Sequence, residues 1–246
     1  MVLGQMLKDM PAAELNGLFA EAGFNESEQR IARAVSILEG GFESVNTYDT
    51  GYVSVGFIQS ACLEAGRGSL GETLLSEKRA SPEAFARDFR KYGLDITDDG
   101  TIVVLDLQTG VELTGKPAAA KIIDDKRFAA VFQKAGRQSK EFRLAQIRIA
   151  RDHYWPTNDA LSIKLGDNSI TCKVSDVIKS EAGIATLYDR KVNRGTLAPI
   201  SDVIAKVMAA HNLTQISEVG PFEREIIVQM KYRTNFLNDT TLSQPK

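Results

Sequence analysis

The sequence predicts a mainly helical α+β fold with small β-hairpins, and three observations predict it. Apolar residues recur at helical spacing over most of the chain, strand-like patterning is confined to short stretches, and helix boundaries carry cap and stop chemistry. In PAAELNGLFAEAGF, Leu15, Leu18 and Phe19 form a stripe between Pro11 and Gly23. Asn25-Glu26-Ser27-Glu28 opens a second helix with the stripe Ile31, Ala34, Val35, Leu38. YVSVGF (52–57) alternates with period two and reads as a short strand, and FIQSACLEAGRG (57–68) reads as a return to helix ending in glycines. In SPEAFARDFRKYG, Ser81 is the expected N-cap, Pro82 the first helical residue and Gly93 the stop.

Residues 94–115 differ: TIVVLDL, a Gln108-Thr109-Gly110 turn and a short VEL segment read as a hairpin, preceded by an Asp98-Asp99-Gly100 turn. From DDKRFAAVFQKAG onward the periodicity is helical again. KEFRLAQIRIARDHYW is a strongly periodic helix ended at Trp155-Pro156. SEAGIATLYDRKVNRG, SDVIAKVMAAHN and GPFEREIIVQMKYRTNFLN are further helices, and LNDTTLSQPK reads as a frayed polar tail. The domain expectation is one domain over 1–246, with a motif at 38–59, a hairpin insertion at about 94–115 and a helical second lobe over about 126–237. Two lobes around a cleft fit this pattern.

Composition narrows the function. The chain has 246 residues, 43% hydrophobic and 25% charged, with a formal net charge of −2. It has no basic patch interleaved with aromatics, so no nucleic-acid partner is expected. His153, His211, Cys62 and Cys172 are scattered at no metal-ligand spacing, so a zinc site is not expected; no other metal and no organic cofactor is expected either, and the two cysteines either pair or, as read here, are free, buried thiols. The N-terminus lacks a secretory pattern and no apolar run is long enough to span a bilayer. The expectation is a soluble protein made in the cytoplasm, reaching its substrate after lysis or by non-classical export. The runs EKR (77–79) and DDKR (124–127) read as solvated faces. GRGSLG (66–71) lacks the Lys-Ser/Thr of a phosphate loop.

The chemistry-bearing stretch is LEGGFESVNTYDTGYVSVGFIQ (38–59). Glu39 closes a helix, four residues after Val35. An apolar edge and the negative end of the helix dipole both favour a protonated carboxyl, whereas a solvated helix-end glutamate is the bland alternative. Asp49 lies in a segment with Asn46, Thr47 and Thr50, which favours an ionised carboxylate or, alternatively, an Asx-turn. If Val53 and Val55 face the core, Ser54 faces the same space as Asp49. A neutral acid, a charged carboxylate and a hydroxyl are the equipment of inverting glycosidic hydrolysis, in which the carboxyl groups stand roughly 6.5–9.5 Å apart to admit a water.

These residues resemble the lysozyme-like superfamily of glycoside hydrolases. Phage-type lysozymes carry E-G, about nine residues, D-T, then G-Y-x-T-I-G, and Glu39-Gly40 with Asp49-Thr50-Gly51-Tyr52-Val53-Ser54-Val55-Gly56 is similar, departing by one residue in each spacing and carrying Ser for Thr. Gly56-Phe57-Ile58-Gln59 is similar to the G-L-M-Q of lytic transglycosylases, which use the glutamate alone. Tyr188-Asp189-Arg190-Lys191-Val192-Asn193-Arg194-Gly195 resembles the YYDxxVxHG-like stretch of chitosanases. The resemblance implies Glu39 as general acid, Asp49 as base and Ser54 as the hydroxyl that holds water. It implies a β-1,4-linked amino-sugar polymer as substrate, peptidoglycan first and chitosan second. A transglycosylase, or an inactive cell-wall-binding module, is the competing reading.

Around this motif the expected sugar contacts are Tyr52, Gln59, Asp189 and Asn193, each with a bland alternative. Tyr52 either stacks on a sugar or packs in the core, as Phe57 is expected to. Gln59 either reaches the catalytic carboxyl or caps a helix. Asp189 either contacts sugar or pairs with Arg190 or Arg194, while Asn193 either contacts sugar or caps its helix. Trp155 is expected to anchor a helix end.

Overall fold

The computed structural model describes residues 4–48, 52–233 and 235–246. It is mainly helical, with small antiparallel sheets of two or three strands. The chain divides into two compact units. Unit 1 comprises the residues up to Asn25 together with Ser36–His153, and unit 2 comprises Glu26–Val35 together with Tyr154–Lys246.

Unit 1 opens with α1 (Ala12–Glu21), whose Leu15, Leu18 and Phe19 are buried as the spacing predicts. Helix α2 (Glu26–Glu39) contributes its final turn to unit 1 and its first ten residues to unit 2. Ile31, Ala34 and Val35 are buried, but Leu38 is 39% exposed and Ile37 47%, so the expected stripe stops one turn early. Three two-residue strands follow: β1 (Val45–Asn46), β2 (Ser54–Val55) and β3 (Ser60–Ala61), paired in that order.

The segment 57–68 is not the helix its apolar content suggests. Ser60–Ala61 pairs with Ser54–Val55, and Gln59 and Leu63 take positive φ values of 52° and 60°, which no right-handed helix accommodates. Helix α3 therefore begins only at Ser69 and runs to Ala80. Helix α4 (Pro82–Asp88) starts on Pro82 as expected, and Gly93 ends the following 3-10 turn with φ 84°.

The expected hairpin at 94–115 is present and gains a third strand, because Leu94–Ile96 has the same β-branched, alternating character. The sheet is β4 (Leu94–Ile96), β5 (Ile102–Asp106) and β6 (Val111–Thr114). Helices α5 (Lys116–Asp124), α6 (Lys126–Gln138) and α7 (Lys140–Tyr154) complete the unit. Placing α6 and most of α7 in unit 1 moves the boundary from about 126 to 153, since their apolar faces belong to the unit 1 core. Phe89 at its centre meets Phe85, Phe132 and Phe142 at centroid distances of 5.4, 5.7 and 5.0 Å.

Residues 160–173 of unit 2, for which no element is expected, form the hairpin β7 (Ala160–Leu165) and β8 (Asn168–Lys173) around a Gly166-Asp167 turn. A short α8 (Val174–Val177) leads to α9 (Glu181–Arg194) and α10 (Ile200–Ala210). The long final helix is instead α11 (Glu223–Gln229), flanked by 3-10 turns, because Gly220-Pro221 and the positive φ of Lys231 interrupt it. The tail is tied down rather than frayed: Ser243 N–H donates to Glu181 Oε2 at 2.8 Å and its carbonyl accepts from Ala182 at 3.1 Å. Among the described residues no helix is long and apolar enough to cross a membrane.

Candidate active site

Glu39 is the last residue of α2 and is half-buried. Gly40 N–H donates to Ser36 O at 2.9 Å and closes the final turn. Gly40 then takes φ 144°, and a Cβ there would lie 2.3 Å from Ser44 Oγ. That hydroxyl accepts from Gly41 N–H at 2.8 Å, while Ser44 N–H donates to Gly41 O at 3.0 Å. The two glycines thus form a locked turn that delivers the chain from the Glu39 carboxyl into β1.

Ser54 sits on the central strand, opposite Asn46 on β1 and Ala61 on β3, and is 3% exposed. Val53 and Val55 are buried as expected, but the opposite face is covered too, so the alternation predicted for YVSVGF does not appear as alternating burial. Asp49 lies outside the described residues. Nearby, Asn46 Oδ1 accepts from Tyr48 N–H at 3.2 Å.

Gln59 Nε2 donates to Gly56 O at 2.8 Å and stands 3.8 Å from the position of a Gly40 Cβ, so the side chain lies against the helix end that bears Glu39. Its Oε1 is buried with no hydrogen-bond partner among the described residues. Tyr52 takes φ 64°, and its ring packs against the unit 1 core. Its hydroxyl bonds Glu64, which raises the phenol pKa, and Glu64 in turn pairs with Lys116. Phe57 is fully buried against Phe42 and Phe19 at 5.3 and 6.3 Å. Within 52–63, Tyr52, Gln59 and Leu63 take positive φ, a conformation that costs a non-glycine residue energy.

Asp189 and Asn193 belong to unit 2. Asp189 is fully buried and its Oδ1 accepts from Arg233 Nη1 at 3.0 Å and Asn193 Nδ2 at 3.3 Å. Burial pushes its carboxyl pKa up, against the pull of the Tyr232 hydroxyl and the Arg233 guanidinium. The internal pairing is therefore the better account of Asp189, with Arg233 as partner where Arg190 or Arg194 was expected; Arg190 donates instead to Ala198 O. Gly195, not Asn193, caps α9. Trp155 packs edge-on against buried Tyr188 at 5.4 Å, the expected anchor.

Cys62 is buried and its thiol pKa is pushed up to about 12, whereas Cys172 is only half-buried. Both are free. Among the described residues no cluster of His, Cys, Asp and Glu could hold a metal ion.

Two further residues, Glu43 inside the motif and Gln146 packed against it, are not singled out by the sequence. Glu43 is buried and accepts from Gln5 N–H at 2.6 Å and Arg137 Nε at 2.5 Å. Gln146 on α7 is 1% exposed, among the apolar residues Phe142, Ala145, Ile147 and Ile149. A lone amide on an apolar stripe was the signal available for it. Compared with known proteins, the chain matches no family model, no curated protein and no solved structure.

Proposed function

We propose that this chain is a lysozyme-like glycoside hydrolase that cleaves a β-1,4-linked amino-sugar polymer, with peptidoglycan the first choice and chitosan the second. The observation that carries the reading is that Glu39 ends a helix and, through the Gly40–Gly41 turn, directly precedes a three-stranded sheet with Ser54 on its middle strand. Gly56 N–H donates to Ser44 O at 2.9 Å, so the carboxyl-bearing turn and the hydroxyl-bearing strand are joined by backbone.

In this reading Glu39 donates its proton to the glycosidic oxygen as the bond to the anomeric carbon breaks. Asp49 takes a proton from a water held by the Ser54 hydroxyl, and that water adds to the opposite face of the ring, giving an inverted reducing end. A second reading, a lytic transglycosylase acting through Glu39 alone, draws support from Gln59, whose amide lies against Gly40. The test is product analysis on purified peptidoglycan and chitosan with wild type, Glu39→Gln and Asp49→Asn. Reducing ends that need both residues support the hydrolase. Anhydro ends that survive Asp49→Asn support the transglycosylase, and no product from wild type removes both.

A further inference from the structure

A glutamine in the core of α7 needs an explanation, because burying an amide is unfavourable unless its hydrogen bonds are met. Gln146 Nε2 donates to the Phe42 carbonyl at 3.0 Å, and Oε1 accepts from Phe57 N–H at 3.4 Å. Phe42 lies three residues beyond Glu39, and Phe57 three beyond Ser54. One planar amide therefore grips the two segments that emerge from the carboxyl-bearing helix and the hydroxyl-bearing strand. The contact is close: a Cβ on Gly56 would lie 2.1 Å from Gln146 Oε1 and would force the amide to shift.

We propose that Gln146 is a positioning residue that fixes the spacing between Glu39 and Ser54. The proposal rests on the glycosidase reading for its catalytic consequence, and on the two hydrogen bonds for its geometry. The bonds need a donor on one arm and an acceptor on the other, which among the side chains of this length only an amide or a protonated carboxyl supplies. Methionine matches the shape and supplies neither. Glutamate supplies the acceptor, and the donor only when protonated.

The test compares wild type, Gln146→Met and Gln146→Glu in kcat and KM on chitosan and peptidoglycan, with Glu39→Gln as the activity control. Backbone amide exchange at Phe57 is followed in all four. The expected result for Gln146→Met is faster exchange at Phe57, a kcat loss of about 10- to 100-fold and a KM within about twofold of wild type. Gln146→Glu should regain kcat as pH falls, relative to wild type at each pH, which a merely structural lesion would not do. Should Gln146→Met fail to fold, the glutamate variant carries both readouts. Wild-type kcat and unchanged Phe57 exchange in a folded variant would overturn the proposal. If wild type releases no product, the glycosidase reading fails by itself. The exchange arm then still decides whether Gln146 holds the two segments: faster exchange supports the grip, and unchanged exchange overturns it.

Discussion

Glu77 on α3 presents its carboxyl group to the Asp88 carboxylate on α4, inside unit 1. Glu77 is fully buried, and with both groups ionised neither of its oxygens finds a donor among the described residues. A proton on Glu77 turns that repulsion into a hydrogen bond to Asp88. Burial, then the Asp88 charge, raise the Glu77 pKa to about 9; Glu141 adds to the rise, and Arg87 opposes it. Asp88 is held below its ordinary value: burial works against this, and Arg87, Ser139 and the Glu77 proton outweigh it.

Stability should therefore depend on pH in a stated direction. Folded Glu77 binds a proton that the unfolded chain gives up above its ordinary value of 4.5. The stabilisation is complete below that pH and is lost as pH rises towards 9, with a slope of at most about 1.4 kcal/mol per pH unit. Thermal unfolding of wild type between pH 5 and 9 should show a falling midpoint, and Glu77→Gln should flatten the fall. Parallel curves for the two proteins would refute the assignment.

Gly56→Ala should destabilise unit 1. The backbone there has φ 89° and the new methyl would meet Gln146 Oε1 at 2.1 Å. The backbone strain alone costs about 1–3 kcal/mol, and the clash adds to it. In urea unfolding, Gly56→Ala should cost less in a Gln146→Ala background than in wild type, because the clash is gone and only the strain is left. No cost in that background would mean that the positive φ is free.

Arg137→Gln removes the charged partner of a buried carboxylate. The side chain of Glu43 is 6% exposed and that of Arg137 66%. Gln5 N–H still donates to Glu43, so the expected loss is about 1–3 kcal/mol rather than that of an orphaned ion. The Arg137→Gln and Glu43→Gln single and double variants, compared by urea unfolding, give the coupling between the two residues. A coupling indistinguishable from zero would contradict the pair.

Asp189→Ala should cost about 1–3 kcal/mol, because Arg233 and Asn193 lose their shared acceptor. On the glycosidase reading, the KM for polymer should not change, since the carboxylate is fully buried. A raised KM at unchanged stability would restore the sugar-contact alternative.

How much of this was legible follows from which interactions are local. The helices α1, α4, α7, α9 and α10 could be read because caps, stops and a 3.6-residue period lie in the segment itself. The segment 57–68 misled because its apolar spacing suits a helix, while its conformation is fixed by pairing of Ser60–Ala61 with Ser54–Val55. The run EKR (77–79) reads as a solvated face, but Glu77 is buried, because Arg87, Asp88 and Glu141 reach it only through tertiary packing. At the site, Glu39 at a helix end and Ser54 on a strand could be read from spacing. Gln146 and Glu43 could not be placed, because their partners Phe42, Phe57 and Arg137 are reached only through tertiary packing.

The central claim is that the Glu39 proton breaks a glycosidic bond. The most direct measurement is the release of reducing ends from purified peptidoglycan and chitosan by wild type and Glu39→Gln at equal concentration. The account predicts product from wild type on at least one polymer and a loss of at least about 10²–10⁴-fold in the variant. Product released at the wild-type rate by Glu39→Gln would contradict it.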